Sequence, residues 1–209
     1  MKPRLIYILM LFSIIACKRN PNDYKVNYIY QLDNTMNYDI KIDYPFFKSS
    51  DLSELNKVVK SSIDSNIFEF KRFILDFEGV SMRSLSYSFE VKSNNEKYVS
   101  LAQTFSWAVP GVERILYHFS NINYNRLEKK FINVDGLFLE NSNFRDSLRV
   151  LANKNLRLNS FPVVDSSENF EIFFFSNDTI FFNLLLSDQA QYDNYIFAIE
   201  KQRLNHLMK

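Results

Sequence analysis

The chain has 209 residues, with 25 Lys or Arg against 24 Asp or Glu and a formal charge of +1. That balance gives no basic field for nucleic acid, so no nucleic-acid partner is expected. Hydrophobic residues at 46% and aromatics at 16% provide for a sizeable core, while 3 Gly and 5 Pro exclude a fibrous or low-complexity protein.

In chain order, Met1-Lys2-Pro3-Arg4 carries two cations and is followed by an apolar run from Leu5 to Ala16. This is the layout of a secretory signal. The run is too short to span a bilayer, which takes roughly 20 apolar residues. Ile14-Ile15-Ala16-Cys17 matches a bacterial lipobox, with two branched apolar residues and a small residue before the only Cys of the chain. The pattern predicts that residues 1–16 are cleaved and that the Cys17 thiol is alkylated with a diacylglyceryl group. Attachment through more than one acyl chain is stable, at about 0.8 kcal/mol per buried methylene. The expected location is the bacterial cell envelope, membrane-anchored and facing the periplasm or exterior, with the membrane as partner through the lipid on Cys17. A plain signal peptide, or a buried free Cys, is the bland alternative. Loss of Lys2 and Arg4 takes the formal charge from +1 to about −1. With Cys17 lipidated, no thiol remains for a disulfide, a nucleophile or a metal site.

Residues 17–25 read as the lipidated Cys and a short polar tether, and 26–209 as a single α+β domain. If that domain has two subdomains, they are expected to meet near 80. Strands are predicted at VNYIYQL (26–32) and YDIKIDY (38–44), with a turn at Asp33-Asn34 and Pro45 ending the second strand. A long amphipathic helix follows, capped by Ser50 or Asp51 and stopped at Gly79, with Leu52, Leu55, Val59, Ile63, Phe70, Phe73 and Phe77 near helical spacing. SLSYSFEVK (84–92), YVSLAQTFSW (98–107) and ERILYHFSNINY (113–124) form an antiparallel meander with one wet face. A second helix occupies 141–157. NFEIFFF and TIFFNLLL then make a hairpin around Ser176-Asn177-Asp178, apolar on both faces and so expected deep in the fold. YIFAIE is a last strand and KQRLNHLMK a short terminal helix. The fold class is therefore α+β: antiparallel sheet, one long N-terminal helix and a second helix packed on it, and a short C-terminal helix.

Catalytic signatures are missing from the sequence. His118 and His206 have no Cys partner and no HExxH spacing, so no metal site is predicted. There is no G-x-S-x-G elbow, no Walker loop and no G-x-G-x-x-G, so no cofactor and no catalytic residue is assigned. Aromatic side chains are good platforms for sugar rings and protein partners. FSWAVPGVER (105–114) combines Trp107 with an exposed Pro110-Gly111 loop and the charged pair Glu113 and Arg114, which makes these three the candidate ligand-binding residues. The bland alternative is a closed turn with Trp107 packed inward.

Three stretches together resemble the extracytoplasmic domain of the RsiV-type anti-sigma factor, a domain that also occurs beside peptidoglycan deacetylases. IDYPFFKSSDLSELNKVVKSSI carries Tyr44, Pro45 and Asn56; NINYNRLEKKFINVDGLF carries Asn123, Tyr124, Lys129, Asp135 and Phe138; the third stretch runs from Asn169 to Met208. SWAVPGVER stands where that family carries Gly-Gly-Ala-His, and Glu128 replaces its Gly. The resemblance implies a non-catalytic binding module that recognises a cell-wall ligand or a protein such as a muramidase. The alternative is a carboxylate-dependent envelope hydrolase.

The lipobox reading predicts that Cys17→Ala abolishes incorporation of labelled fatty acid and leaves uncleaved precursor. A mutant that still takes up label would place the anchor elsewhere.

Overall fold

The computed structural model describes residues 24–34, 37–75, 83–108, 116–140, 142–159, 163, 170–176, 178–185 and 194–208. Period-two alternation at the start becomes a hairpin of β1 (Tyr24–Asp33) and β2 (Tyr38–Phe47), paired antiparallel from Tyr24↔Phe47 to Asp33↔Tyr38. Asn37 closes the turn region with φ 50°, a left-handed conformation that Asn tolerates better than most residues. A 3-10 turn at Ser50–Leu52 leads into α1 (Ser53–Leu75), which buries Leu55, Val59, Ile63, Phe70 and Ile74 along one stripe. Asp51, expected as a cap, instead gives its carboxylate to Arg126 Nε at 2.9 Å.

The chain then returns as β3 (Arg83–Asn94), parallel to β2 in the register Tyr38↔Arg83 to Asp43↔Ser88. The long helix is thus a crossover, and the sheet is mixed. Antiparallel strands β4 (Tyr98–Ala108), β5 (Leu116–Asn125) and the two-residue β6 (Lys130–Phe131) complete a six-stranded sheet in the order β1-β2-β3-β4-β5-β6. One short helix, α2 (Val134–Leu137), is capped by Asn133 Oδ1, which accepts from Gly136 N at 2.7 Å. A Cβ at Gly136 would sit 2.9 Å from that oxygen, so a larger residue there would have to displace the capping side chain. Next come α3 (Phe144–Leu158) and a three-stranded antiparallel sheet of β7 (Phe173–Ser176), β8 (Thr179–Leu185) and β9 (Asn194–Glu200). The class is α+β, with one long and one shorter helix. The terminal segment is a 3-10 turn over Lys201–Leu204.

Pro45 does not end β2, which continues to Phe47. The reason is directional. Phe47 N and O are held by the Asn56 side chain, at 2.9 and 2.8 Å, so they point away from β1. Two residues earlier, the Pro45 nitrogen faces the same side, where the β3 ladder has already stopped at Asp43. A missing N–H costs nothing there.

Two apolar cores result. The first lies between α1 and the larger sheet and includes Ile40, Ile42, Phe47, Phe70, Leu85, Tyr87, Leu101 and Tyr124. The second is formed by α2, α3 and the smaller sheet, with Phe138, Leu148, Phe170, Phe173, Phe175 and Phe182 fully buried. Phe173 and Phe182 face each other in register.

Strand β7 joins the two. In its pairing with β8, Ile172 O accepts from Asn183 N, so the alternation of an antiparallel ladder turns the backbone groups of Phe173 and Phe175 away from β8. They meet side chains of the larger sheet. Phe175 N donates to Ser100 Oγ at 3.0 Å, Ser100 Oγ donates to Asn123 Oδ1 at 2.7 Å, and Asn123 Nδ2 donates to Phe173 O at 2.8 Å. Asn121 Nδ2 reaches the same carbonyl at 2.7 Å. Ser100 and Asn123 are buried. The meander face expected to be wet is therefore covered at this end by the second sheet.

These contacts rank the cost of substitutions measured by urea unfolding. Phe173→Ala or Phe182→Ala empties core volume and is expected to cost about 3–5 kcal/mol. Ser100→Ala leaves the buried Phe175 N–H without an acceptor, at about 1–3 kcal/mol. Asn121→Ala costs less, because Asn123 still serves the Phe173 carbonyl. A Ser100→Ala chain as stable as the parent would remove the network from the account.

Candidate functional site

Two turns at one end of the larger sheet are locked together. Asn95 Oδ1 accepts from Lys97 N at 2.9 Å and Tyr98 N at 2.8 Å, which shapes the β3–β4 turn. Asn125 Oδ1 accepts from Leu127 N at 3.0 Å and Glu128 N at 3.1 Å, which shapes the β5–β6 turn, where Lys129 adopts φ 52°. Arg126 ties these turns to the start of α1. Its Nε pairs with Asp51 at 2.9 Å, and its Nη1 donates to Asn94 Oδ1 at 3.0 Å and to the Asn95 carbonyl at 3.1 Å. The guanidinium is buried and uses its fork geometry on several acceptors at once.

Beside this brace, where the two cores meet, lies a cleft of about 590 Å³. Tyr98 forms its aromatic wall, stacked on Phe175 with ring centroids 4.5 Å apart and planes 15° from parallel. Lys97 Nζ lies 5.0 Å and Lys201 Nζ 5.4 Å from the Tyr98 ring centroid. Lys130, Asn125, Glu128, Asp178 and Asn205 complete the polar lining, and Ile132, Leu137 and Met208 supply apolar floor. Glu128 pairs with Lys130 and accepts from Asn125 Nδ2 at 2.9 Å. The hydrogen bond from Lys130 is the chief reason its carboxyl is held below the usual range. The Lys201 ammonium is pushed below the usual lysine range, first by burial, with Lys97 adding repulsion and Asp178 opposing both. Three ammonium groups and two carboxylates line the opening, and Lys130 is already paired with Glu128.

Of the residues expected from sequence, Cys17, Glu113 and Arg114 lie outside the described residues. Trp107 closes β4 and is half-buried, its ring against α1 at 4.9 Å from Phe73 and 5.9 Å from Phe70. It is not part of the cleft. Its Nε1 is buried with no hydrogen-bond partner among the described residues, and the same holds for Arg83 Nε at the neighbouring end of β3. A buried indole N–H usually finds an acceptor, so this corner of the sheet, next to the segment 109–115, offers two donors.

The residues that carried the family resemblance hold the scaffold together. Asn56 clamps Phe47, Asn123 bonds Phe173, Asp135 pairs with Arg145 at 2.8 Å, and Phe138 stacks on Phe144 at 4.3 Å. The cleft lysines come from positions 97, 130 and 201, too far apart in sequence to be read together. The one local signal was Lys97 beside Tyr98.

Several carboxylates of the described residues are engaged with cations: Asp135 and Glu171 with Arg145, Asp146 with Arg149, Asp51 with Arg126. Among the described residues, no group of three or more His, Cys, Asp or Glu could hold a metal ion, and no helix is long and apolar enough to cross a membrane. His118 and His206 are both exposed.

No protein-family model matches the sequence, and no curated protein matches it. Solved structures do. A DUF3298 family protein from Pseudomonas aeruginosa PAO1 superposes with a TM-score of 0.67 at 14% identity, over 90% of this chain and 96% of that one. A DUF3298 family member from Bacteroides fragilis NCTC 9343 superposes with a TM-score of 0.58 at 12% identity, over 91% of this chain and 96% of that one. At such identities the likeness is one of fold.

Proposed function

We propose that the chain is a lipid-anchored extracytoplasmic binding module of the bacterial cell envelope, acting without catalysis on a carboxylate-bearing cell-wall ligand. The observation that carries this reading is the cleft where the two cores meet, with Lys97, Lys130 and Lys201 around the Tyr98–Phe175 stack. Peptidoglycan fragments combine what such a cleft would take: apolar sugar edges that suit the floor of Ile132, Leu137 and Met208, and acidic groups that suit ammonium ions. The turns forming the rim are cross-braced by Arg126, so binding would spend little on ordering the site. The lipobox at Cys17 supports the anchor, and the resemblance to the RsiV-type domain supports ligand recognition outside the cytoplasm. Trp107, Glu113 and Arg114 remain the candidate contact for a protein partner such as a muramidase. Trp107 Nε1 and Arg83 Nε, without a partner among the described residues, favour an acceptor arriving at that corner.

The test is capture of soluble muramyl peptides, released by muramidase digestion of peptidoglycan, on the immobilised full chain. Lys97 is exposed, so Lys97→Glu is expected to leave stability within about 0.5 kcal/mol. Capture should weaken about tenfold or more, equivalent to 1.4 kcal/mol. Arg114→Ala should leave muramyl-peptide capture unchanged and weaken only a protein partner. Capture indifferent to Lys97→Glu would remove the cleft from the site.

A further inference from the structure

We propose that β1 docks on the lipid surface itself, through Val26, Tyr28, Tyr30 and Leu32. This rests on the Cys17 anchor proposed above and adds an orientation to it. Among the described residues, β1 is the outer strand of the larger sheet and pairs with β2 alone. Side chains alternate along a strand, so these four share one face and form a stripe about 20 Å long. They are 47%, 74%, 63% and 49% exposed. Neither α1 nor the second sheet covers them, whereas Ile29, on the opposite face, packs against the first core.

Long edge strands are normally blunted with charge or proline, and this one instead carries two tyrosines and two aliphatics in a row. Val26 stands opposite Pro45 of β2, and the other three face polar residues. Tyr28 stands opposite the exposed Asp43, and Tyr30 opposite the exposed Lys41, which pairs with Asp39 at 3.0 Å. An apolar stripe with a wet border, and with hydroxyls at the tips of its aromatic rings, suits the headgroup level of a bilayer.

Distance names the occupant. Tyr24 begins β1 seven residues after Cys17. Fully extended, that tether reaches at most about 24 Å. A chain lipidated at Cys17 therefore holds the start of β1 within about 24 Å of the headgroups. At such a high effective concentration, weak docking is enough. A diffusing protein would have to displace a surface that is already present.

The experiment uses the full lipidated chain in phosphatidylethanolamine–phosphatidylglycerol vesicles containing brominated lipid. Alkylation of the Cys17 sulfur leaves an introduced thiol as the only one to label. An environment-sensitive fluorophore at Leu32→Cys should show blue-shifted emission and quenching by the brominated lipid, while one at Val150→Cys, on exposed α3, should show neither. Adding Tyr28→Ser and Tyr30→Ser should lower the docked fraction about tenfold with no loss of vesicle flotation. Equal signals at positions 32 and 150 in a chain that floats with the vesicles would overturn the docking and leave the anchor standing. A chain that fails to float would remove the anchor, and the docking with it.

Discussion

The outer edge of β7 is the constraint on which the architecture turns. An edge strand carries a row of backbone donors and acceptors, and burying them unpaired would cost more than most side-chain contacts return. Here the larger sheet satisfies them with side chains rather than with a strand: Ser100, Asn121 and Asn123 reach across to Phe173 and Phe175. The polarity of each atom is used. Ser100 Oγ accepts from one backbone and donates to Asn123, and the Asn123 amide passes the chain on to the other carbonyl. Because these groups are buried, the two cores cannot slide against each other without stranding them.

That fixed junction positions the cleft. Its wall pairs Tyr98 from the larger sheet with Phe175 from the smaller one, and its cations come from both sides of the joint. The rim is held by turn asparagines and by Arg126, whose burial beside Asp51 is tolerated only because its donors meet acceptors on several segments. Three lysines and two carboxylates meet at the mouth of the cleft on a protein whose net charge is close to neutral.

Much of the fold was legible where side chains report burial directly. Alternation at Leu85, Tyr87 and Phe89, the helical stripe from Leu55 to Phe70, and the facing phenylalanines of β7 and β8 all follow from period and hydrophobicity. The joint was not legible, because Ser100, Asn121 and Asn123 look like the solvent side of strands; polar residues read as wet until something is placed over them. The parallel pairing of β2 with β3 was hidden by the long helix between them, since sequence gives each strand but not its neighbour across a crossover. Pro45 misled because its effect depends on which edge its nitrogen faces. β6 and α2 are too short to show periodicity and are held by an Asn cap and a two-residue ladder. The cleft needed three segments brought together, and only tertiary structure does that.

The central claim is that the polar joint makes the two cores one cooperative unit. It is tested most directly by following thermal unfolding of the intact chain with two local probes. Fluorescence of Trp107, the single tryptophan, reports the first core, where its ring packs on Phe70 and Phe73. Amide hydrogen exchange across residues 173–185 reports the second. Coincident transitions with one midpoint are predicted. Loss of protection in β7 and β8 well below the Trp107 transition would contradict the account, since it would mean the second core leaves the first without its edge bonds holding it.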